Sequence, residues 1–476
     1  MENHTHHTIK LENLYTENDH IIQMVKHMNE AYYEQTGKRR THHTITYGCQ
    51  MNEHDSEKIN ALMRAMGYER VEEPDNADFV LFNTCAVREN AELRVFGNLG
   101  HMKHLKSKRP GMILAVSGCM MQQAQVVALI KKKYSHVDLI FGTHNLHYLP
   151  RYLHEILEKK TRHYEVWDID GEIIEGLPYE RKFGLKAYVN IMFGCNNFCS
   201  YCIVPYTRGR ERSRQKEHIL EEVSLLARDG VKEITLLGQN VNSYGKTFDR
   251  EYRFKDLLHE VSKVEGIERV RFMTSNPKDL SEGLMDEIQR NHKVVESVHL
   301  PIQAGSDALL KRMNRGYTVE KYLGIVAQLR QRIPGIGLST DIIVGFPGET
   351  EQDIDDLIDI IRSVRFDSAF TYIYSPRTGT PAADYPDQIP EKLKHQRFER
   401  MLKVLNEEVV RLNKSREGRV YEVLIEGYKD EDRGILTGRT RENYIMTLAG
   451  DKALIGKTVK VAVTRARKFS LEGQII

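Results

Sequence analysis

Short apolar runs alternate with amphipathic segments along most of this chain. In the first third, HTITYGC, DFVLFNTC, MILAVSGC and VDLIFG predict four strands, and a segment with helical periodicity follows each one. Short apolar strands separated by helices are typical of a parallel sheet that helices cover on both faces. The pattern therefore predicts an N-terminal doubly wound parallel α/β domain over residues 42–160.

A second alternating series begins after a predicted linker at residues 161–182. Its strands are KAYVNIMFGC, VKEITLLGQN, ERVRFMT, VVESVHLPIQ, IGLSTDIIVGF and SAFTYIYSP. Six β/α units predict a central (β/α)6 partial TIM barrel over residues 183–414, with its chemistry on loops at the carboxyl ends of the strands. The expected fold class is a multidomain α/β protein.

The two ends of the chain depart from this alternation. Residues 1–41 are rich in histidine and weakly periodic, so we treat them as an N-terminal extension without assigned chemistry, in which Ile21 to Tyr33 could form one helix. Residues 415–476 contain short strands separated by glycine turns. They predict a small antiparallel β-barrel.

Composition excludes several classes of protein. The chain has 476 residues, 40% hydrophobic and 29% charged, with a formal net charge of +2. These values are ordinary for a globular protein. No apolar run approaches the roughly 18 residues of a membrane span, and the N-terminus lacks a signal-peptide core. We therefore expect a cytoplasmic protein with no membrane partner. Six cysteines in such a chain do not suggest a disulfide scaffold.

Three of the cysteines end three of the predicted strands. Cys49, Cys85 and Cys119 each lie just past the carboxyl end of a strand in the first series. Open α/β sheets place their ligand sites at that edge. Three unrelated core cysteines would not be expected at equivalent positions, so we expect the three thiols to converge on one crevice.

The other three cysteines fall within GCNNFCSYC, as Cys195, Cys199 and Cys202. A structural zinc site uses four protein ligands, and this loop supplies three. A catalytic zinc site with an open position remains one alternative. Pure thiolate ligation also suits an iron–sulfur cluster, in which three cysteines leave one iron open.

The C-x3-C-x2-C spacing of GCNNFCSYC is the signature of radical S-adenosylmethionine (SAM) enzymes, and the chain resembles that family. Over residues 42–476 it is similar to the methylthiotransferase branch, and residues 415–476 resemble a TRAM domain. The matching stretches are TYGCQMNEHDSEK, NTCAVRENAE, SGCMMQ, IVPYTRGRERSR, LLGQNVNSYG, HLPIQAGS, MNRGYT, DIIVGFPGETE and YSPRTGTPAA. Within the branch, QNVNSYG and NTCAVRENAE favour the enzymes that act on N6-isopentenyladenosine at position 37 of tRNA.

The resemblance implies an activity and a set of ligands. The adenine C2–H would be replaced by S–CH3, with SAM and two [4Fe–4S] clusters as cofactors. Cys195, Cys199 and Cys202 would hold the cluster that binds SAM and generates the radical. Cys49, Cys85 and Cys119 would hold a second cluster that carries the sulfur. This use of all six cysteines agrees with the two sets of three found in the sequence.

Further contacts are implied by position. Residues of relatives that bind SAM would correspond here to Tyr201, Gly238, Gln239, Asn240, Gln303, Gly305, Ser306, Ser339 and Asp341, although βα turns need small or polar residues in any case. Contacts to RNA phosphates are predicted for Arg208, Arg210, Arg212, Arg214, Arg439, Arg441, Arg465, Arg467 and Lys468, against the alternative of solvated charged faces. One of the four arginines in RGRERSR could instead contact the SAM carboxylate. Tyr444 or Phe469 would stack on a base or pack in the core.

The implied partners are a tRNA anticodon stem-loop, an electron donor such as flavodoxin or ferredoxin, and a sulfur donor. We expect a monomer. One alternative is a related methylthiotransferase whose substrate is threonylcarbamoyl-adenosine in tRNA or an aspartate of a ribosomal protein. Another is an RNA-binding protein whose metal is structural, which the open coordination position of each triplet argues against.

Overall fold

A six-stranded parallel sheet forms the centre of the first of two units into which the chain divides. The computed structural model describes residues 11–86, 89–167, 173, 175, 184–249 and 251–476. The first unit comprises residues 1–182 and 203–210, and the second comprises 183–202 and 211–476. Most of the predicted linker at 161–182 lies outside the described residues.

The sheet of the first unit has the order β2-β1-β3-β4-β5-β6, and every pair is parallel. Its strands are β1 (Thr41–Thr46), β2 (Glu69–Arg70), β3 (Phe79–Thr84), β4 (Ile113–Gly118), β5 (Leu139–Phe141) and β6 (His163–Glu165). Its helices are α1 (Leu11–Thr36), α2 (Gln50–Ala65), α3 (Glu89–Lys108), α4 (Ala124–Lys133), α5 (Leu149–Lys159) and α6 (Val204–Thr207).

Both faces of this sheet are covered, which explains the apolar run from Phe79 to Phe82 in β3. Phe79 and Leu81 belong to one buried cluster, which includes residues of α1, α2 and α5. Val80 and Phe82 point to the opposite cluster, which includes residues of α3 and α4. Because side chains alternate between faces along a strand, a strand buried on both sides is apolar at most consecutive positions. The doubly wound prediction is confirmed.

Helix α1 corrects our treatment of residues 1–41 as an extension. The helix spans Leu11–Thr36, longer than the segment Ile21 to Tyr33 suggested by the sequence. Ile22 and Val25 are buried in the same apolar cluster as α2 and α5. The periodicity was hard to see because α1 buries only a narrow stripe, whereas its other faces carry polar residues.

The second unit begins with a half-open barrel of parallel strands. Its strands are β7 (Lys186–Asn190), β10 (Glu233–Leu237), β11 (Arg269–Phe272), β12 (Ser297–His299), β13 (Gly337–Val344) and β14 (Ser368–Ile373), with a short antiparallel pair, β8 (Met192–Phe193) and β9 (Arg212–Ser213). They form two parallel groups, β11-β10-β7 and β12-β13-β14, and a bridge between Val270 and Val294 joins the groups. The helices are α7 (Lys216–Arg228), α8 (Phe254–Ser262), α9 (Glu282–Arg290), α10 (Asp307–Arg312), α11 (Val319–Arg332), α12 (Glu351–Val364) and α13 (Glu391–Lys414).

A closed five-stranded barrel ends the chain. Its strands are β15 (Val420–Asp430), β16 (Ile435–Thr440), β17 (Ile445–Ala449), β18 (Thr458–Ala466) and β19 (Leu471–Ile475), in the order β15-β16-β17-β19-β18. All pairs are antiparallel except β17 with β19. Closure removes the free strand edges that a small sheet would otherwise expose.

The small barrel packs against the amino ends of the parallel strands of its own unit. Arg269, the first residue of β11, donates to the Arg439 carbonyl at 2.8 Å. Lys186, the first residue of β7, pairs with Glu426 at 2.7 Å. The carboxyl ends of the parallel strands, where a site is expected, are therefore left clear of the small barrel. No helix in the described part of the chain combines the length and the apolar character needed to cross a bilayer.

Candidate active site with two cysteine triplets

The first cysteine triplet lies at the carboxyl edge of the parallel sheet. Cys49 is the N-cap residue of α2, just after β1. Cys85 directly follows β3, and Cys119 opens the 3-10 turn Cys119–Gln122 after β4. Because β1, β3 and β4 are neighbours in the sheet, the three thiols occupy adjacent positions of one edge, as the sequence predicted.

Two glycines allow these turns to approach one another. Gly48 and Gly118 have φ angles of 133° and 101°. A Cβ on Gly48 would lie 2.6 Å from the Cβ of Cys85, and a Cβ on Gly118 would lie 2.2 Å from the Thr84 carbonyl oxygen. Both glycines are needed, for their backbone angles and for space, and each directly precedes a cysteine.

A buried amide network beneath the triplet was not anticipated from the sequence. The Asn52 amide donates to Asn83 Oδ1 and to the Thr84 carbonyl, both at 3.1 Å, and the Asn83 amide donates to the Asn52 carbonyl at 2.8 Å. The Cys49 thiol donates to Asn52 Oδ1 at 3.3 Å. These bonds tie the start of α2 to the end of β3. The asparagines within TYGCQMNE and LFNTC were the only signal for them in the sequence.

Arg208 supplies a buried positive charge to this triplet. Its Nε donates to Cys119 Sγ at 2.9 Å, and its Nη2 donates to Asp55 Oδ2 at 2.9 Å. Burial raises the pKa of the Cys119 thiol to about 12, and Cys85 and Cys49 push it the same way, whereas Arg208 lowers it. Since the Arg208 side chain is only 6% exposed, our prediction that it contacts RNA phosphates is wrong.

The second triplet lies on the loop after β8, and α10 and the residues after it hold that loop. Ser200 donates its backbone N–H to the Met313 carbonyl at 3.1 Å and its hydroxyl to the Arg312 carbonyl at 2.8 Å. The Asn314 amide donates to the carbonyls of Asn197 and Phe198 at 3.2 and 3.0 Å. Such anchoring fixes the backbone that carries Cys195, Cys199 and Cys202.

A second buried arginine, Arg315, donates hydrogen bonds to this loop. Arg315 Nη1 donates to Cys199 Sγ at 3.2 Å and contacts the Tyr201 hydroxyl at 3.3 Å, and its Nε donates to the Tyr317 hydroxyl at 3.1 Å. Among the described residues, none of its partners is a carboxylate. A buried cation without an acidic partner is costly, so an anionic group bound at this loop would reduce that cost. Burial itself raises the pKa of Cys195 to about 11.

Both triplets fit an iron–sulfur cluster by their donor chemistry. All six cysteines are free of disulfide bonds, and each triplet offers sulfur ligands with a guanidinium directed at one sulfur. In the part of the chain that is described, no three His, Cys, Asp or Glu side chains are placed to hold a single metal ion. Cluster thiolates need not converge in that way, because each binds a different iron.

The residues predicted to contact SAM divide into two groups, and the first group has clear structural roles. A Cβ on Gly238 would lie 2.5 Å from the Met192 side chain, and one on Gly305 would lie 2.3 Å from the Leu357 backbone nitrogen. Ser306 is the N-cap of α10. The Asn240 amide donates to Asp279 at 2.7 Å. Close packing and capping account for these positions without a ligand, so no contact to SAM needs to be invoked for them.

The second group consists of polar side chains on the loops and strands of the parallel barrel. Gln303 has a φ of 72°, and its buried Oε1 has no hydrogen-bond partner among the described residues, so a ligand donor would satisfy that oxygen. His299 contacts Ser339 Oγ at 3.0 Å and Asp341 Oδ2 at 3.4 Å. Tyr201 contacts Arg315, as described above. Gln239 follows Gly238 directly at the end of β10.

The predicted RNA contacts also divide by exposure. Arg214 is 5% exposed and bonds the Asn190 carbonyl and Glu222, which contradicts phosphate contact. Arg441 pairs with Glu296 through two hydrogen bonds, of 2.6 and 2.8 Å. Arg212 and Arg439 are half-buried, whereas the exposed members of the set are Arg210, Arg465, Arg467 and Lys468. Of the predicted set, only these four side chains are exposed to solvent.

The two aromatic candidates have opposite surroundings. Tyr444 packs against Arg416, whose guanidinium carbon lies 3.9 Å from the ring centroid, and against Tyr421. Phe469 is 70% exposed beside Lys468. Packing within the small barrel therefore accounts for Tyr444, and Phe469 remains the candidate for stacking.

Comparison with known protein families gives three matches. The Radical SAM superfamily matches residues 189–361, Uncharacterized protein family UPF0004 matches residues 41–142, and the TRAM domain matches residues 414–476. Among solved structures, the radical SAM methyltransferase TsrM from Kitasatospora setae is similar in fold. It has a TM-score of 0.53 and 16% identity over 72% of this chain and 77% of that chain.

Curated relatives match over nearly the full length. A tRNA-2-methylthio-N(6)-dimethylallyladenosine synthase from Clostridioides difficile is 53% identical over 470 residues, 98% of each chain. A protein of the same name from Alkaliphilus oremlandii is 55% identical over 92% of this chain and 93% of its own. The alternatives with threonylcarbamoyl-adenosine or a ribosomal protein as substrate are not favoured. The chain belongs to the family of radical SAM tRNA-2-methylthio-N(6)-dimethylallyladenosine synthases.

Proposed function

We propose that this chain is a tRNA methylthiotransferase that converts N6-isopentenyladenosine at position 37 to its 2-methylthio derivative. The observation that carries the proposal is the match to synthases of that name at 53% identity over 470 residues. All six cysteines of the chain fall into the two triplets described above. Because the matched relative is covered over 98% of its length, the comparison extends to all parts of the enzyme.

Each triplet would hold one [4Fe–4S] cluster with an open iron. Cys195, Cys199 and Cys202 are the ligands for the cluster that binds SAM. Cys49, Cys85 and Cys119 are the ligands for the second, sulfur-carrying cluster. When bound, these groups and SAM supply radical chemistry that can open the adenine C2–H bond, which acid–base groups cannot easily do.

The protein's own task is to fix the sulfurs and exclude water. Cys85, Cys119, Cys195 and Cys199 are all less than 9% exposed. Glycines at positions 48 and 118 let the first set of turns close, and α10 with the residues after it holds the second loop. A buried guanidinium at one sulfur of each triplet would offset part of the negative charge that ligating thiolates bring to the site.

In this proposal the small barrel binds the tRNA. Arg465, Arg467, Lys468 and Phe469 are exposed and lie close together in the chain, and we call residues 465–469 the basic segment. Cations on such a segment bind phosphates, and an exposed ring offers a stacking surface to an unpaired base of the anticodon loop. Flavodoxin or ferredoxin would supply electrons, and a separate sulfur donor would restore the second cluster.

The first experiment is an anaerobic iron and sulfide count on three proteins. The wild type should hold about eight irons. Replacing Cys195, Cys199 and Cys202 with alanine should leave about four irons, and so should replacing Cys49, Cys85 and Cys119. Zinc in place of iron, or complete loss of iron from the first variant, would contradict two independent clusters.

Activity then separates the two triplets. The assay supplies isopentenylated anticodon stem-loop RNA, SAM and reduced flavodoxin, and mass spectrometry follows the gain of a methylthio group. Cys199→Ala and Cys85→Ala should both abolish methylthiolation, but Cys85→Ala should still cleave SAM. Full activity in either variant would overturn the proposal. RNA that lacks the isopentenyl group tests whether that group is recognised.

A further inference from the structure

Arg208 lies where three separate segments of the first unit meet. Cys119 begins the turn after β4, Asp55 lies on α2, and Arg208 follows α6. The guanidinium joins the other two, with Nε on the sulfur and Nη2 on the carboxylate. Ile203, at the start of the same segment, is buried against Cys119 and Ala86. The segment 203–208 therefore places both an apolar cover and a cation at Cys119.

The burial of the Arg208–Asp55 ion pair strengthens its electrostatic effect on the nearby Cys119 sulfur. The side chains of Arg208 and Asp55 are 6% and 13% exposed. Interactions between charges are strongest where water is excluded, because the effective dielectric constant is low there. Asp55 carries the opposite charge and contacts the same guanidinium, so it offsets part of the effect of Arg208 on the Cys119 sulfur.

That field acts on the sulfur that would ligate iron. Hydrogen bonds to ligand sulfurs and the net charge nearby set the reduction potential of an iron–sulfur cluster. A reduced cluster carries one more negative charge than an oxidised one, so a fixed cation favours the reduced form. A donor at 2.9 Å from Cys119 Sγ is in direct contact with the ligand.

We infer that Arg208 is a positioning residue for the cluster on Cys49, Cys85 and Cys119, that it raises the reduction potential of this cluster, and that Asp55 moderates the effect. The inference rests on the proposed function, since it requires a cluster on this triplet. It assigns Arg208, the first arginine of TRGR, to the sulfur-carrying cluster and not to RNA. It also predicts opposite signs for the two members of one ion pair.

The test uses the full-length chain with Cys195, Cys199 and Cys202 replaced by alanine, so that a single cluster remains. Arg208→Gln and Asp55→Asn are made in this background. The matched control is Arg109→Gln, which breaks an arginine–aspartate pair with Asp78 in the same unit. Each protein is reconstituted anaerobically, its iron is counted, and the midpoint potential is measured by a redox titration followed by electron paramagnetic resonance.

Arg208→Gln should disfavour reduction at least tenfold, which is about 59 mV toward negative potential for one electron. Asp55→Asn should shift the midpoint toward positive potential, and Arg109→Gln should leave it unchanged. A loss of packing alone would not give opposite signs for the two variants. An unchanged midpoint in Arg208→Gln with about four irons bound would overturn the inference and leave the proposed function intact.

Two further outcomes are decisive. If the background protein binds no iron before Arg208 is changed, the second cluster of the proposed function fails, and the inference fails with it. If Arg208→Gln alone loses iron, Arg208→Lys decides between charge and shape. Recovery of iron with lysine supports a role for the charge. No recovery with lysine, while Arg109→Gln keeps its iron, overturns that role.

Discussion

Replacing Arg441 with alanine should destabilise the second unit and leave the salt dependence of RNA binding unchanged. Arg441 follows β16 of the small barrel, and Glu296 lies just before β12 of the parallel barrel. The guanidinium makes two hydrogen bonds to the Glu296 carboxylate and a third, of 2.9 Å, to the Val294 carbonyl. The sequence had suggested a phosphate contact for this residue.

The magnitude follows from the burial of the pair. The side chains of Arg441 and Glu296 are 17% and 29% exposed. Removing one partner of a fully buried pair costs about 3–5 kcal/mol, whereas an exposed pair contributes about 0.2–1 kcal/mol. This pair is bidentate and only partly buried, so Arg441→Ala should lower the free energy of unfolding by about 1.5–3 kcal/mol. Glu296→Ala should give a similar loss, and the double variant should cost less than the sum.

Two assays distinguish the structural role from a role in RNA binding. Denaturant unfolding followed by circular dichroism gives the stability, and a titration with an anticodon stem-loop at several salt concentrations gives the slope of log K against log salt. The matched control is Arg465→Ala, since Arg465 is exposed in the basic segment. It should keep its stability within about 0.5 kcal/mol and lose about one unit of slope.

The reasoning is refuted if Arg441→Ala behaves like the control. Unchanged stability with a slope reduced by about one would mean that Arg441 contacts a phosphate. In that case the pair with Glu296 would not hold the small barrel in place.

Three other changes have defined outcomes. Burial raises the pKa of Glu349 from 4.5 to about 7, so the stability it contributes is present below pH 4.5 and is lost as the pH rises through 7. In the wild type the melting temperature should therefore fall between pH 4.5 and 7. Glu349→Gln should reduce this fall, whereas the exposed control Glu320→Gln should not. Gly118→Ala should cost about 2–4 kcal/mol by a clash with the backbone of the neighbouring strand end, whereas Gly111→Ala, which meets no atom within 4 Å, should melt like the wild type. Phe469→Ala should weaken stem-loop binding by about 1–3 kcal/mol, and unchanged affinity would exclude stacking there.

Cysteine spacing made the two triplets predictable from the sequence. Strand ends and cysteines coincide at three places in the first series, and neighbouring parallel strands bring their carboxyl ends to one edge. The C-x3-C-x2-C loop is local in sequence, so its three thiols must lie near one another in any fold. The two parallel β/α series and the small barrel were also predictable, because burial on one or two faces of an element sets the hydrophobic pattern of its consecutive residues.

Charged residues were harder to assign, because a run of arginines looks the same whether it faces water or a buried partner. RGRERSR contains Arg208 and Arg214, which are buried, and Arg210, which is exposed. Their partners Asp55 and Glu222 are distant in sequence or on another element, and no periodic pattern marks them. The length of helix α1 was underestimated for a related reason, since its narrow apolar stripe is defined only by the surface it covers.

The sequence by itself determined the alternation of strands and helices, the location of all six thiols and the family of the chain, since these depend on local spacing and on similarity along the chain. Only the tertiary structure decided which cations are buried against partners within the protein and which are exposed to solvent. It placed Arg208 on Cys119, Arg315 on Cys199 and Arg441 on Glu296. The physical reason is that the state of a charged side chain depends on its burial and on a partner brought from elsewhere in the chain.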